Sequence, residues 1–272
     1  MTTCNPVGAI PVIRARGFAV IELLVVIGII AALAALLLPA LTRAKQSALS
    51  TSCLGNLRQL QLAHLSYAHD HNDQLPPNNY VYLLGVTNRP FEAQASWCPG
   101  NVREDTTTSN IVSGLLYPYL RSIAVFRCPG DRSFLSATNG PARRIPRTRS
   151  YNLNIWLNSD VLPEGSVTMN DASRRSPAEI FAFIDTHEDC IRDPTFGIYP
   201  ADDEWYNNTW IDTPSDRHNQ GANLTFLDGH AEHWRWRSMK SCDGGAIDAR
   251  NDLDLGDLRR LQKCLPIPRD LY

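Results

Sequence analysis

The sequence predicts an α+β fold in which a long N-terminal helix packs on a small antiparallel β-sheet head with long irregular loops. Three observations support this prediction. Residues 18–41 form an apolar run that contains one charge, Glu22. Residues 42–72 continue with apolar side chains at steps of three and four, which is the spacing of an amphipathic helix. Beyond residue 150, short apolar segments alternate with turn residues, as in a sheet of short strands.

Length and charge limit the possible classes of protein. The 272 residues suffice for one domain with an accessory segment, or for two small domains. The net charge is −2, so no basic field exists for nucleic acid, and we expect no nucleic-acid partner. Residues 1–17 hold Arg14 and Arg16 and no acid, so without them 24 basic residues (26 − 2) face 28 acidic ones, a net charge of −4.

Residues 18–41 read FAVIELLVVIGIIAALAALLLPAL and are long enough to cross a membrane. A helix of this length spans roughly 36 Å, against a hydrocarbon core of about 30 Å. A secretory signal peptide would have a shorter apolar region, about 7–15 residues, followed by a small-residue cleavage site. An uncleaved anchor would explain the length but not Glu22, because a carboxylate within a span costs about 2.5–3.5 kcal/mol and needs a partner.

The block RGFAVIELLVVI at Arg16–Ile27 resembles the cleavage and methylation segment of type IV pilins and type II secretion pseudopilins. The resemblance implies that a prepilin peptidase removes the leader, residues 1–17, by cutting after Gly17. Phe18 then becomes the methylated N-terminus, and the apolar helix stays in the mature protein. Ala19-Val20 departs from the commoner Thr-Leu, but both residues are apolar.

The same resemblance implies a mode of assembly and a location. Glu22 would pair with the amino group of a neighbouring subunit, and residues 18–41 would contact other pilin-like subunits. Pro39 lies where many pilins have a helix-kinking proline. Basic residues flank both ends of the span, so the positive-inside rule does not decide the orientation. The resemblance implies a single-pass protein of the bacterial inner membrane, with the N-terminus cytoplasmic and the head periplasmic.

After the span, the apolar stripe predicts that the helix continues to about residue 72, giving one helix of roughly 50 residues with a kink near Pro39. Its stripe should pack against the head, and the helix should end at His71-Asn72-Asp73, before Pro76. A coiled-coil stalk is the alternative, but the stripe is short and mixed. The stripe consists of Leu49, Cys53, Leu57, Leu60, His64, Tyr67 and Ala68.

Of the seven cysteines, Cys4 lies in the expected leader and six remain, an even number that is compatible with disulfides in an oxidising compartment. Six cysteines permit 15 connectivities, which the sequence does not resolve. We expect at least one disulfide, with Cys128 as a member and Cys53 as its preferred partner, because Cys53 lies on the stripe that faces the head. The loops around Cys98 and Cys128 are not C-x-x-C pairs, so we do not expect zinc there.

The head should contain four strands and a C-terminal helix. Asp228-Gly229 separates the last two strands and predicts a two-residue hairpin turn, with Leu227 opposite His230 and Phe226 opposite Ala231. The final apolar pattern predicts a short amphipathic helix. These elements are Tyr151–Leu157, Glu179–Ile184, Ala222–Leu227, His230–Trp236 and the helix Leu255–Cys264.

His218, nine residues and then Asp228-Gly229 form an H-x9-D-G block. It resembles the C-terminal signature of a large group of bacterial prepilin-like proteins whose biochemical activity is largely undefined. Further segments match the general pattern of that group, so the resemblance touches most of the chain. They are Cys53–Leu60, Phe126–Pro129, Arg149–Tyr151, Phe183–Asp185 and Asp228–Glu232.

Several acids and histidines fall near strand ends and form a candidate metal site. Imidazole and carboxylate suit a transition metal, whereas the acidic stretch Asp189–Glu204 would suit Ca²⁺, which type II major pseudopilins often hold in the head. The alternatives are that Asp228 only makes the turn while His218 hydrogen-bonds a loop, or that the group is catalytic. We expect no other cofactor. The candidate ligands are Asp185, His187, His218, Asp228 and His230.

No G-x-S-x-G, P-loop or dinucleotide motif occurs, so we do not expect an enzyme. The expected function is that of a pseudopilin-like structural subunit of a type II secretion or type IV pilus-like filament. The alternative is a membrane-tethered module that binds a glycan or a secreted protein. The expected organisation is a leader at 1–17, a transmembrane helix at 18–41, an extracytoplasmic helix at 42–72 and a head at 73–272.

Overall fold

The computed structural model describes residues 20–79, 95–136, 144–162, 165–172 and 175–266. The chain forms two compact units, residues 1–45 and 46–272. Gly17 and Phe18 lie outside the described residues, so cleavage between them stays a prediction.

The described part of the first unit is helical. Helix α1 begins at Val20, continues through Pro39 and ends at Asp70 in the second unit, a length of 51 residues. Every Val, Ile and Leu side chain from residue 20 to residue 41 is exposed, with exposed fractions from 45% to 76%. By length and composition, this is the one helix among the described residues that could cross a membrane.

In the second unit, the last part of α1 buries one face. Its buried side chains recur at steps of three and four, which confirms the predicted stripe. Asn72 and Asp73, with φ of 55° and 63°, turn the chain out of the helix as predicted. The buried residues of α1 are Cys53, Leu57, Leu60, Gln61, Ala63, His64, Tyr67 and Ala68.

The head is built on a five-stranded sheet with the order β5-β3-β4-β7-β8, and the pairs β1-β2 and β6-β9 lie apart from it. The four predicted strands correspond to β3, β4, β7 and β8. The strands are β1 Phe134–Ser136, β2 Arg144–Pro146, β3 Tyr151–Asn154, β4 Phe181–Asp185, β5 Thr195–Phe196, β6 Thr209–Trp210, β7 Gly221–Phe226, β8 Ala231–Arg235 and β9 Ile247–Asp248. The helices after α1 are α2 Ser109–Ser113, α3 Tyr117–Leu120, α4 Met169–Ala172 and α5 Asp252–Gln262, with short 3₁₀ turns at Ile123–Phe126 and Pro177–Glu179.

The prediction of a wholly antiparallel sheet is wrong in one respect. Strand β5 pairs with β3 in parallel, through Leu153 opposite Thr195 and Asn154 opposite Phe196, so the sheet is mixed. A strand of two residues shows no alternation in the sequence, and its pairing depends on contacts made after folding.

The predicted hairpin is correct in place but wrong by one residue in register. Thr225, rather than Phe226, lies opposite Ala231. The Gly229 N–H donates to the Phe226 carbonyl at 3.0 Å, and Gly229 has a φ of 100°. This is a type I turn followed by a left-handed glycine, a three-residue connection. The extra residue is Leu227, which is fully buried and donates its N–H to the Ile180 carbonyl at 3.0 Å.

Two core clusters cover the two faces of the sheet, one with α1 and the other with α5. Strand β7 shows the division: Ala222, Leu224 and Phe226 belong to the α5 cluster. The alternating Asn223 and Thr225 face α1, where Asn223 Nδ2 donates to the Ser50 carbonyl at 2.9 Å. The α1 face of the sheet therefore buries polar as well as apolar side chains.

Helix α5 begins three residues earlier than predicted. The Asn251 side chain accepts the backbone N–H groups of Leu253 and Asp254 at 3.0 and 2.9 Å, which makes it an N-cap. The cap fixes the start of the helix, so the acidic first turn is helical.

Candidate functional site

Four potential metal ligands that are distant in sequence meet in the core of the head. Their ligand atoms all lie within 4.8 Å of one another. Cys53 lies on α1, Cys128 follows the 3₁₀ turn at Ile123–Phe126, Asp185 ends β4, and His218 precedes β7. We call these four residues the dithiol cluster. All four are buried, with at most 2% of each residue exposed.

The interatomic distances within the dithiol cluster are short. Cys128 Sγ lies 3.1 Å from His218 Nε2, and His218 Nε2 lies 3.3 Å from Asp185 Oδ2. Cys53 Sγ lies 3.9 Å from the same carboxylate oxygen. Asp185 Oδ2 therefore faces both a thiol and the imidazole.

Local turns bring the two loop residues into place. The Cys128 N–H donates to Ser150 Oγ at 3.1 Å, and the Asp131 N–H closes the Cys-Pro-Gly turn on the Cys128 carbonyl at 3.0 Å. A Cβ on Gly130 would lie 3.1 Å from the His218 ring, so the absence of a side chain there lets the two loops approach.

His218 is held by the turn that leads into β7. Its N–H donates to the Gly221 carbonyl at 3.2 Å. Between them, Asn219 and Gln220 are both left-handed, with φ of 55° and 58°. The turn directs the imidazole towards the end of β4, where Asp185 lies.

Polar groups around the dithiol cluster orient its sulfur and carboxylate ligand atoms. The Tyr151 hydroxyl donates to Cys53 Sγ at 3.3 Å, and the Gly130 N–H donates to Cys128 Sγ at 3.3 Å. The Ser215 hydroxyl donates to Asp185 Oδ2 at 2.8 Å. Both sulfurs and the carboxylate thus have fixed hydrogen-bond donors.

Arg217 adds a buried positive charge beside the dithiol cluster. Its guanidinium lies 3.7 Å from Asp185, 3.1 Å from Asp131 and 3.1 Å from Glu188. Burial acts to lower the pKa of Arg217. The Asp185 and Asp131 carboxylates act to raise it by a larger amount, so the pKa lies above its usual value. The arginine remains a cation that compensates the buried carboxylates.

The protonation of the dithiol cluster without a metal follows from its surroundings. Burial raises the pKa of the Cys128 thiol well above its usual range. Burial also acts to lower the pKa of His218, but its hydrogen bonds to Asp185 and Cys128 outweigh this and raise the pKa to about 9. Cys128 is therefore a neutral thiol, which lacks the lowered pKa of a cysteine nucleophile.

The structure joins two of the five predicted metal ligands and separates the rest, so the predicted set is wrong. Asp185 and His218 meet in the dithiol cluster. His218 precedes β7, whereas Asp228 and His230 follow it, and six strand residues at about 3.3 Å each place them roughly 20 Å away. Asp228 and His230 instead pair with each other at 2.5 Å on the surface. The His187 Nδ1 atom lies 3.9 Å from the Asp189 carboxylate.

The predicted calcium stretch forms no cluster of acids among the described residues. The Asp193 carboxylate accepts the Thr195 N–H at 2.8 Å, and the Asp203 carboxylate accepts the N–H groups of Trp205 and Tyr206 at 2.9 and 2.6 Å. These carboxylates serve local turns, as short acidic side chains often do.

At least one disulfide was predicted, and one is present, between Cys190 and Cys242. The preferred pair was wrong: Cys53 and Cys128 are both free thiols, although their sulfurs are neighbours in the dithiol cluster. In this arrangement the Cys53 sulfur contacts Asp185 and the Cys128 sulfur contacts His218.

Zinc was not expected at Cys128, because the loops around Cys98 and Cys128 are not C-x-x-C pairs. The residues that complete the site lie far away along the chain, Cys53 being 132 residues from Asp185. A usable signal was present, because all four residues lie in the segments on which the expected resemblance to prepilin-like proteins rests. Arg217 and Tyr151, which hold the dithiol cluster in place, were also missed as site residues.

Comparisons of the chain with protein-family models, with curated proteins and with solved structures found no match.

Proposed function

We propose that this chain is a pseudopilin-like structural subunit, processed by a prepilin peptidase and assembled through residues 18–41 into a filament of a type II secretion or type IV pilus-like system. Residues 18–41 anchor it in the bacterial inner membrane, with the N-terminus cytoplasmic and the head periplasmic. One observation carries the proposal: a single helix, α1, is apolar and exposed over residues 20–41 and buries one face in the head core between Cys53 and Ala68.

The exposed apolar half of α1 must be covered by lipid or by another protein. Isolated soluble proteins rarely expose a continuous apolar surface of this size, and such a surface marks a membrane or a protein interface. Its length fits the hydrocarbon core of a bilayer. The buried half of the same helix contributes to the core of the head, so the anchor and the head share one continuous element.

Glu22 distinguishes an assembling subunit from a simple anchor. A carboxylate costs about 2.5–3.5 kcal/mol at the centre of a span and less towards its ends, and a cationic partner offsets this cost. In the proposed assembly that partner is the amino group of the neighbouring subunit's Phe18. A tethered binding module that does not polymerise has no use for this pairing.

Crosslinking in native membranes tests the proposal. Single cysteines are placed along residues 25–38 in a parent in which the partly exposed Cys264 is replaced by serine. We expect crosslinked ladders between copies in cells that express the peptidase and the assembly system. The matched control adds Glu22→Leu, which should still insert in the membrane but lose the ladder.

Absence of crosslinks at every position from 25 to 38, in protein that is processed and membrane-bound, would exclude a filament. Binding of the full chain to a glycan or a secreted protein, together with that absence, would establish the tethered module instead.

A further inference from the structure

We propose that the dithiol cluster, formed by Cys53, Cys128, Asp185 and His218, binds one zinc ion, which fastens α1 to the sheet and to the Cys-Pro-Gly loop. The inference rests on the second unit alone and is independent of whether the chain forms a filament.

The donor set suits zinc. Two thiolates, one imidazole nitrogen and one carboxylate oxygen are all ligands that zinc accepts, and thiolates disfavour calcium and magnesium. A tetrahedral site with Zn–N and Zn–O near 2.0–2.2 Å and Zn–S near 2.3 Å has edges of roughly 3.3–3.8 Å. Three of the six distances between cluster atoms, 3.1, 3.3 and 3.9 Å, are close to these edges, and all six are within 4.8 Å.

The surroundings are those of a metal site rather than of a chance cluster. Each sulfur and the carboxylate accepts a hydrogen bond from a separate buried or turn group, from Tyr151, Gly130 and Ser215 respectively. Such outer contacts fix the ligand orientation and are typical of protein metal centres. The Asp185 Oδ1 atom is buried and accepts no hydrogen bond from the described residues, and Arg217 Nη1 lies 3.7 Å from it as an ion-pair partner.

Four protein ligands and full burial indicate a structural role. Catalytic zinc keeps one position for water or substrate, whereas structural zinc is closed by four protein ligands. The ligands come from four separate segments of the head, so one ion would crosslink them. A pocket of about 290 Å³ lies beside the dithiol cluster, and Gly130, Arg217 and His218 are among its lining residues.

Metal analysis of the full chain, extracted in detergent from membranes, tests the site. We expect one zinc ion per chain by mass spectrometry of the metal. Exchange with Co²⁺ should give thiolate-to-cobalt charge-transfer absorption and the strong visible bands of tetrahedral cobalt. Cys128→Ser and His218→Gln should each lose the bound metal and the cobalt spectrum.

Cys98→Ser is the matched control, because Cys98 is equally buried and lies in a second Cys-Pro-Gly loop but outside the dithiol cluster. It should retain the zinc. Alkylation of denatured, chelated but unreduced protein should label Cys53 and Cys128 as free thiols.

Two results would overturn the inference. One is a Cys53–Cys128 disulfide in the native protein. The other is wild-type protein that contains no zinc and shows no tetrahedral cobalt spectrum after Co²⁺ is added. Both are read on the wild type, so they hold even if a variant fails to fold.

Discussion

The hydroxyl of Tyr151 on β3 donates a hydrogen bond to the sulfur of Cys53 on α1 at 3.3 Å, and both side chains are fully buried. This contact ties the helix to the first residue of strand β3. It also places the first of the two free thiols of the dithiol cluster.

Tyr151→Phe should remove this bond and keep the ring packing. Loss of one buried hydrogen bond costs about 1 kcal/mol in the free energy of unfolding. All six tryptophans lie between residues 97 and 236, so denaturation followed by tryptophan fluorescence reports on the head within the full chain. Tyr206→Phe, at an exposed position, is the control and should change little. Equal stability of the two variants would show that the Tyr151–Cys53 bond contributes nothing.

The hairpin glycine gives a second prediction. Gly229 has a φ of 100°, and an added Cβ would lie 3.6 Å from Leu65, so space is available and the backbone sets the cost. Gly229→Val should lower the free energy of unfolding by about 1–3 kcal/mol, since a β-branched residue is strained at positive φ. Gly245→Val is the control, because a Cβ at Gly245 meets nothing within 4 Å. The prediction fails if denaturation gives the same free energy of unfolding for Gly229→Val and Gly245→Val.

The buried Lys240 gives a third prediction. Its ammonium lies 2.6 Å from Asp254 and 2.9 Å from Asp257, with the three side chains almost fully buried. Lys240→Met should destabilise by roughly 3–5 kcal/mol, because it leaves two buried carboxylates without their cation. Adding Asp254→Asn and Asp257→Asn should recover part of the loss, while Lys263→Met at the exposed end of α5 should have little effect. A Lys240→Met variant as stable as the wild type would contradict this account.

Processing gives a fourth prediction. Intact-mass and N-terminal analysis of membrane-extracted protein should find a chain that begins at N-methylated Phe18. Gly17→Trp should block the cut, because the peptidase site accepts a small residue there in the family that the segment resembles. Residues 1–17 still attached in cells with an active prepilin peptidase would contradict the prediction.

Much of the fold could be predicted because its signals are local. The stripe of α1 extends over many turns, and β4 and β7 are continuous apolar or alternating segments. The two-residue strands β5, β6 and β9 carry no period and could not be predicted. The hairpin register was missed because it depends on Leu227, whose burial follows from tertiary packing rather than from the Asp-Gly pair.

The candidate site was predicted only in part, for the same reason. Asp185 and His218 were identified because they fall near strand ends. Asp228 and His230 were grouped with them because they too fall near strand ends, but they follow β7 whereas His218 precedes it, so the length of the strand separates them in space. The convergence of Cys53 and Cys128 with Asp185 is a long-range product of the fold.

His64 gives the last prediction, and it concerns the dependence of stability on pH. The side chain is fully buried, and neither ring nitrogen has a hydrogen-bond partner among the described residues. Its ring packs edge-on against Phe183 at 5.7 Å. Burial lowers the pKa of His64 from 6.5 to about 3, so the imidazole is neutral in the folded head.

The sign of the effect follows from proton binding. Between pH 6.5 and about 3 the unfolded chain holds a proton on His64 that the folded chain lacks. Stability is therefore complete above pH 6.5 and falls as the pH decreases through this window. His64→Leu should raise the free energy of unfolding at neutral pH by about 1–3 kcal/mol, because it removes unsatisfied buried polar atoms. It should also flatten the decline in stability below pH 6.5. His69→Leu, at an exposed position on the same helix, should keep the wild-type slope. If the His64→Leu and wild-type proteins lose stability in parallel as the pH falls, His64 is not the buried neutral group described here.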